Sequence, residues 1–315
     1  MLPPPIDGLS AKPLELGSDG LLSLYSGRRH EMVEPAPTSP QQLRATSQQP
    51  TSRSLFSGWL REAFEHRDLF FFFAWRDVKI RYKQTFLGAL WAVIQPLATM
   101  LILTAFVGRM AGQSIGDVPY AIFAYAALVP WTFFSSSLTA SAMSMAVNSN
   151  LITKIYFPRI VIPAAPVLAG LVDFAIASSF LLVLIPYYGL AFKPELLFWP
   201  VLAVPLVALC LGLGIILSCL TARYRDMKYA LPFVIQLGLF ATPIIYPITA
   251  IPPRYHWLVA LNPLTGLMQA FRACVLPGSS FDLSLLATSL VETLVVIAIA
   301  LPYLRHTERG VADFV

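Results

Sequence analysis

The chain has 315 residues, of which 57% are hydrophobic and only 12% are charged, and its formal net charge is +5. Soluble domains carry about 25% charged residues, so this composition excludes an ordinary soluble protein and favours an integral membrane protein. The basic excess does not indicate a nucleic-acid partner, and we expect none, because no basic stripe with interleaved stacking aromatic residues occurs.

The N-terminal part divides into two segments. Residues 1–54 are rich in proline, serine and glutamine and lack helical periodicity, which predicts a disordered cytoplasmic tail. In residues 55–83, apolar and charged side chains first alternate at roughly helical spacing, from Leu55 to Arg67, and an aromatic run then leads into the basic stretch Arg76–Lys83. This pattern predicts an amphipathic helix at the inner membrane surface. A soluble helix packed on another domain is the alternative.

Residues 84–315 are predicted to form an all-α transmembrane domain with six membrane-spanning helices. A helix needs about 20 mostly apolar residues to cross the hydrocarbon core of a bilayer, which is about 30 Å thick. Five stretches meet that length, and the fifth in order is short and rich in proline. The six stretches are Leu87–Val107, Tyr120–Ala140, Ile160–Tyr187, Leu196–Leu220, Leu231–Tyr246 and Ser284–Leu304.

The loop charges predict the orientation of these spans. Eleven lysines and arginines flank the helix ends on one side, and four flank them on the other. Basic residues accumulate on the cytoplasmic side of a membrane. We therefore expect both termini in the cytoplasm and the loop around residues 247–283 outside.

Two connections between the spans have unusual sequences. The sequence of the inner loop Asn148–Arg159 predicts a short helix that ends at Pro158 and has one apolar face. This face could bind in a groove of another protein, or it could pack against the inner face of the chain itself. The outer segment after span five is too apolar for a free loop and too interrupted for a span. It predicts short re-entrant helices, one of which begins at Asn262 and Pro263.

Catalytic and metal-binding motifs are missing from the sequence. There is no GxxxxGKS/T loop to bind ATP, no HExxH or GxSxG motif, and no cysteine pair at metal-binding spacing. We therefore expect neither an enzyme nor a metal site. Two carboxylates, Asp173 and Glu292, lie in apolar spans, where a charge costs about 2.5–3.5 kcal/mol on insertion scales. Asp173 could line a hydrophilic conduit or couple protons, or it could cap Ser178, Ser179 or a backbone group of a neighbouring helix.

Six blocks of sequence, in order, resemble the ABC-2-type permeases of polysaccharide export. They cover about residues 60–315, outside the N-terminal tail. The blocks are Arg76–Lys83 with Leu87–Pro96, Asn150–Arg159, Arg223–Asp226, Thr242–Pro247, Asn262–Gly266 and Arg305–Arg309.

The resemblance implies a permease of the bacterial inner membrane that exports a lipid-linked polysaccharide of the O-antigen, capsule or teichoic-acid type. It further implies a homodimer of this chain with two copies of a separate ATPase subunit, which would carry ATP and Mg²⁺, so that no cofactor is expected in this chain. Export of a small amphiphilic drug or lipid by a related permease, a membrane enzyme acting on lipid-linked sugars, and a proton-coupled carrier are the alternatives.

The same resemblance implies roles for individual residues. Loop residues would couple to the ATPase, and these are Asn150, Leu151, Ile152, Lys154, Ile155, Tyr156, Phe157, Pro158 and Arg159. The interfacial helix and inner entrance would use Trp75, Arg76, Asp77, Lys79, Arg81 and Tyr82. An outer gate would include Pro243, Pro247, Asn262, Pro263 and Arg272. Channel-lining candidates, on which sugar rings could stack, are Trp91, Gln95, Tyr125, Trp131, Phe134 and Tyr246, although their aromatic members also fit an interfacial belt.

Overall fold

The computed structural model of the chain describes residues 67–83, 85, 87–108, 114–115, 118–148, 158–224 and 226–311. The predicted tail, the first part of the predicted surface helix and most of the predicted coupling loop therefore lie outside the described residues.

The described chain is almost entirely helical. A surface helix and the first span come first, and these are α1 (Arg67–Tyr82) and α2 (Trp91–Leu103), the latter flanked by a 3-10 turn (Gly88–Leu90) and a π-helical turn (Thr104–Gly108). A two-stranded antiparallel hairpin follows, β1 (Ser114–Ile115) and β2 (Val118–Pro119), with Ile115 opposite Val118. Then come α3 (Tyr120–Val147), α4 (Val161–Tyr187), a 3-10 turn (Pro194–Phe198), α5 (Trp199–Arg223) and α6 (Met227–Ala241). The outer segment and last span contain two 3-10 turns (Ile248–Ala250 and Pro253–Tyr255), α7 (His256–Ala260), α8 (Pro263–Val275) and α9 (Leu283–Val311).

Five helices of the described part are long and apolar enough to cross a membrane. They are Gly88–Gly108, Tyr120–Val147, Val161–Tyr187, Pro194–Arg223 and Leu283–Thr307. The prediction of an all-α membrane protein is thus confirmed, apart from the short hairpin. The helix ends near residues 148–160 and 224–226 are on the more basic side of the predicted spans, which is the predicted cytoplasmic side. We refer to this side as inner and to the opposite side as outer.

The predicted fifth span differs from the observed helix. α6 begins at Met227 and ends at Ala241, so it has 15 residues and a length of about 22 Å at 1.5 Å per residue. This is shorter than a bilayer core of about 30 Å. The two pieces Pro253–Ala260 and Pro263–Val275 that follow are bent by 102° relative to each other, and the described chain has a sixth candidate span only if this pair is counted as one.

Helix α3 occupies the centre of the bundle. It packs against α2, α4, α5 and α8, and 83% of its most apolar stretch is buried, compared with 17% for the first and last spans. The three cysteines, Cys210, Cys219 and Cys274, are buried as well.

Glycines let α4 and α5 approach α3 closely. A Cβ atom added at Gly170 of α4 would lie 2.1 Å from Oγ of Ser137, and one added at Gly214 of α5 would lie 2.2 Å from Oγ of Ser141. The Ser141 hydroxyl also donates to the carbonyl of Pro163 at 2.7 Å. Close backbone approach through small residues is a principal way for helices to pack in membranes.

Helix α1 packs against α4 and is the described part of the predicted surface helix, whose alternating residues 55–66 lie outside the described residues. In its described part, apolar and charged side chains are only weakly segregated, and no residue is buried. The physical reason is the run of four phenylalanines at positions 70–73. Successive residues of a helix are about 100° apart, so four consecutive rings cannot share one face.

Replacing Gly214 by alanine should destabilise the bundle. The new methyl group would meet Ser141 well inside normal contact distance, and such overpacking costs about 1–3 kcal/mol. The matched control is Gly108→Ala, whose Cβ would have its nearest neighbour at an ordinary 3.5 Å. Thermal unfolding of the purified chain in detergent, followed by tryptophan fluorescence, should give a lower midpoint for the first variant alone. Equal midpoints would contradict this account of the α3–α5 contact.

Candidate functional site

A buried arginine at the outer end of the bundle binds the backbone where α6 ends. Arg272 of α8 is only 2% exposed. Its Nη1 donates to the carbonyl of Pro243 at 2.6 Å, its Nη2 donates to the carbonyl of Ile244, and its Nε donates to the carbonyl of Phe123 at 3.3 Å. One guanidinium therefore joins α8, α3 and the segment after α6.

The Arg272 charge is balanced without a carboxylate. Its guanidinium carbon lies 3.7 Å from the centre of the Phe123 ring, a geometry in which the ring face attracts a cation. Over the described ranges, no carboxylate lies within ion-pair distance of this side chain. Carbonyl dipoles and one aromatic face are thus its observed partners.

Further hydrogen bonds fix the same segment. The Tyr120 hydroxyl donates to the carbonyl of Ile245 at 2.7 Å, and the Asn262 amide donates to Oγ1 of Thr242 at 2.8 Å. Asn262 also accepts from the backbone N–H of Leu264 at 3.1 Å, which confirms the predicted helix start with proline in the first turn.

The structure brings most of the predicted outer-gate residues together. Pro243, Asn262, Pro263 and Arg272 belong to this cluster, whereas Pro247 lies beyond it and precedes a 3-10 turn. Their role in gating remains a prediction.

Sequence reasoning missed the contribution of Lys193. Its ammonium group donates to the carbonyls of Ala273 at 2.9 Å, Leu276 at 3.2 Å and Ser279 at 3.2 Å. The last carbonyls of a helix lack partners within the helix, and a lysine can supply them. No local pattern signals this contact, because Lys193 is 80 residues away from Ala273 in the sequence.

Asp173, near the middle of α4, has its partners at the C-terminal end of the surface helix α1. One carboxylate oxygen accepts from Nη1 of Arg81, and the other accepts from the hydroxyl of Tyr82. Burial and the hydrogen bond to Asp173 both raise the pKa of the Tyr82 hydroxyl well above its usual value. Tyr82 is therefore neutral at physiological pH and acts as a donor.

The alternative that Asp173 caps Ser178 or Ser179 is wrong. The Ser178 hydroxyl accepts from Trp199 at 3.0 Å, and the Ser179 hydroxyl donates to the carbonyl of Ile176 at 2.7 Å. Five or six residues along a helix correspond to rotations of about 500° or 600°. Neither serine therefore shares the face from which Asp173 reaches α1.

A cavity of about 260 Å³ adjoins this ion pair. It lies between α1, α2, α3 and α4, and apolar side chains of α3 and α4 complete its wall. Its polar lining combines the ion pair with an amide, hydroxyls and an indole ring, and consists of Arg81, Tyr82, Thr85, Trp91, Gln95, Thr132, Ser136 and Asp173. The cavity thus brings together two residues of the predicted inner entrance and two predicted channel residues.

The remaining predicted residues of α1 face other neighbours. Arg76 donates to Asp77 at 2.9 Å and to the side chain of Asn148 at 3.5 Å. Lys79 lies 5.6 Å from the centre of the Trp75 ring. Arg76 therefore contacts the end of α3, where the predicted coupling loop begins.

Most of the predicted coupling residues lie outside the described residues, namely Asn150, Leu151, Ile152, Lys154, Ile155, Tyr156 and Phe157. Pro158 and Arg159 are described and lead into α4. The carbonyl of Pro158 accepts from Val161 at 3.1 Å, and that of Arg159 accepts from Ile162 at 3.3 Å.

Three of the predicted channel residues are buried within the chain. The Tyr125 hydroxyl donates to the carbonyl of Ala177 at 3.1 Å, and the rings of Trp131 and Phe134 pack 5.8 Å apart. Gln95 is exposed, and Trp91 is 55% exposed. These two are therefore the channel candidates with an open face.

Two further predicted residues, Tyr246 and Glu292, lie outside the cavity and outside the cluster around Arg272. Tyr246 is half-buried, and its hydroxyl donates to the carbonyl of Phe240 at 2.9 Å. Glu292 has one buried carboxylate oxygen without a hydrogen-bond partner in the part of the chain that the structure describes.

These features together describe a multi-pass membrane protein. Several apolar helices surround a largely apolar cavity that contains one ion pair, and the outer backbone is held by a buried cation. Comparison with known families makes the assignment specific. Residues 68–276 match the ABC-2 type transporter family, and the chain belongs to this family.

Curated relatives support the assignment over most of their length. The chain is 30% identical to an O-antigen export system permease protein, RfbA, of Myxococcus xanthus over 238 residues, which cover 74% of this chain and 91% of the relative. An RfbA of Klebsiella pneumoniae is 32% identical over 65% of this chain and 78% of its own length. A polysialic acid transport protein, KpsM, of Escherichia coli is 26% identical over 75% of this chain and 92% of its own length. The predicted family is thus confirmed, and the chain is a transport permease rather than an enzyme.

Arg272→Lys should destabilise the outer segment. Lysine keeps the charge but carries its three donors on a single nitrogen, so it cannot reach the carbonyls that arginine binds from three separate nitrogens. Each buried acceptor that loses its donor costs about 1–3 kcal/mol. The control is Arg254→Lys, since Arg254 is exposed on the same segment and contacts the Tyr255 ring at 4.7 Å. Hydrogen exchange of residues 241–262 should accelerate in Arg272→Lys only; unchanged protection would refute the proposed role of the guanidinium.

Proposed function

We propose that the chain is the permease subunit of an exporter that moves a lipid-linked polysaccharide across the cytoplasmic membrane. The observation that carries the proposal is the match to the O-antigen and polysialic acid permeases, which extends over 91% and 92% of two of these relatives. A glycan of the O-antigen, capsule or teichoic-acid type fits this relationship. The exposed indole of Trp91 and the exposed Gln95 beside the inner cavity supply the aromatic and amide surface that sugars bind.

The energy for export comes from a separate ATPase in this proposal. The sequence lacks a loop that could hold nucleotide phosphates, so ATP and Mg²⁺ would bind to the partner subunit. Residues 150–159 would insert into a groove of that subunit and transmit its closure to α3 and α4. The loop charges favour placing this coupling loop and both termini in the cytoplasm, with the protein in the inner membrane.

Two copies of the chain would form the conduit, facing each other across a twofold axis. The short helix α6 supports this arrangement. Within one chain, α6 has a single buried residue, Leu231. In the proposed dimer its exposed face would adjoin the second copy or the conduit, and this face consists of Tyr229, Phe233, Leu237 and Phe240.

Vesicles that contain the full chain and its ATPase test the proposal. Translocation of lipid-linked polysaccharide, measured by its protection from an added glycosidase, should require both ATP and an ATPase with an intact catalytic glutamate. The control is an ATPase whose catalytic glutamate is replaced by glutamine. Translocation by the chain alone would instead identify an independent carrier, and transport of small amphiphiles without glycolipid would identify a drug or lipid exporter.

The double substitution Ile155→Asp with Phe157→Asp tests the coupling loop. Two charges on its apolar face should abolish binding to an apolar groove and reduce export at least about tenfold, since each buried charge without a partner costs several kcal/mol. Co-purification of the ATPase and export are the two measurements. Ser149→Asp, a charge added at a polar position of the same loop, is the control that should co-purify normally. Normal assembly and export by the double variant would remove the coupling role.

A further inference from the structure

The ion pair at the inner cavity is an unusual way to attach a surface helix. The side chains of Arg81 and Asp173 retain 30% and 21% of their exposure, so both charges are largely withdrawn from solvent. Such a pair often adds less stability than apolar residues of similar volume, because removing two charges from water is costly. Attachment of α1 to α4 therefore does not by itself explain why charged residues occupy these positions.

The surroundings of the pair resemble a binding site for an anion joined to an uncharged group. Arg81 and Tyr82 supply donors at one end of the cavity, and guanidinium groups bind phosphate through two parallel hydrogen bonds. The rest of the lining is uncharged and mostly apolar, and its polar members include Trp91 and Gln95. The cavity volume of about 260 Å³ is many times the roughly 10–15 Å³ that a cavity needs to hold one water molecule, which is enough for a diphosphate group.

We propose that this cavity binds the phosphate or diphosphate group that joins the lipid carrier to its glycan, and that Asp173 occupies the same donors of Arg81 and Tyr82 while the cavity is empty. The proposal rests on the proposed function and assigns a recognition site within it. The arriving phosphate displaces the carboxylate, and the sugar attached to it extends along Trp91 and Gln95.

This exchange releases one of the contacts of α1. Asp173 holds the C-terminal end of α1 on α4, while Arg76 holds the same helix on Asn148, next to the coupling loop. Displacing Asp173 loosens the first contact and leaves the second in place. The arrival of cargo would thus change the attachment of a helix that also contacts the start of the loop proposed to meet the ATPase.

Binding of farnesyl diphosphate to the full chain in phosphatidylcholine nanodiscs tests the site, with calorimetry as the measurement. Asp173→Asn should tighten binding by about threefold to tenfold, because the competing anion is removed while donors remain (a factor of ten corresponds to 1.4 kcal/mol). Arg81→Gln should weaken it at least about tenfold, since charge-assisted bonds are roughly twice as strong as neutral ones. The control is Arg67→Gln, which removes the same charge from an exposed position at the other end of α1.

The direction of the Asp173→Asn effect separates the proposal from damage to the fold, because loss of the folded cavity would weaken binding of the diphosphate group and not tighten it. If Arg81→Gln fails to fold, Arg81→Lys retains the charge without the fork of donors and should show an intermediate loss. Affinities that are the same in wild type, Asp173→Asn and Arg81→Gln would overturn the proposal.

Three further probes distinguish the lipid carrier from free phosphate and from membrane lipid as the source of the phosphate group. Inorganic pyrophosphate should bind more weakly than farnesyl diphosphate, farnesol should not bind, and nanodiscs of phosphatidylglycerol should leave the farnesyl diphosphate affinity within about twofold. Equal binding of inorganic pyrophosphate, or full competition by phosphatidylglycerol, would overturn the lipid carrier as the ligand. If substitutions at Arg81 and Asp173 leave the affinity for farnesyl diphosphate unchanged while the chain still exports glycolipid, this site is rejected and the proposed function is not. Failure of the wild-type chain to export glycolipid with its ATPase would reject the function.

Discussion

Backbone groups at membrane depth must find their hydrogen-bond partners within the protein, and the end of α6 is where this constraint is most demanding. The helix stops at Ala241, before it could cross a bilayer. The carbonyls that follow, of Pro243, Ile244 and Ile245, accept from Arg272 and Tyr120. Because Arg272 lies on α8, the break in α6 and the position of α8 depend on each other, and Lys193 fixes the far end of α8 in turn.

The two ends of the bundle use a cation in different ways. The outer cation, Arg272, is fully enclosed by carbonyls and by an aromatic ring. These partners are uncharged, so none of them can be replaced by a competing anion in the way that a carboxylate can. The inner cation, Arg81, is held by a carboxylate that stands beside an open cavity. A buried charge held by several neutral backbone groups is suited to a contact that does not change during function. A cation paired with an anion can exchange that anion for another of similar chemistry, so the inner pair is the exchangeable one.

The sequence predicted those features that depend on local pattern. Hydropathy located five spans, and the Asn262–Pro263 pair located the start of α8. Features that depend on distant contacts could not be predicted in this way, because Asp173 meets Arg81 across 92 positions and Arg272 meets Phe123 across 149. The aromatic residues of α3 illustrate a second limit. Every face of this helix is apolar or small, so composition does not distinguish buried Tyr125 and Trp131 from residues that line a channel.

Helix α3 offers a direct connection between the two sites. Its inner end contacts Arg76 through Asn148, and its outer end carries Tyr120 and Phe123, which contact the segment after α6 and Arg272. The helix has 28 residues and continues through Pro130, so it spans about 42 Å at 1.5 Å per residue. Packed helices move as rigid bodies between discrete arrangements. We therefore infer that a displacement imposed on the coupling loop would reach the outer segment along α3 itself, with the attachments of α1 deciding how far the inner end can move.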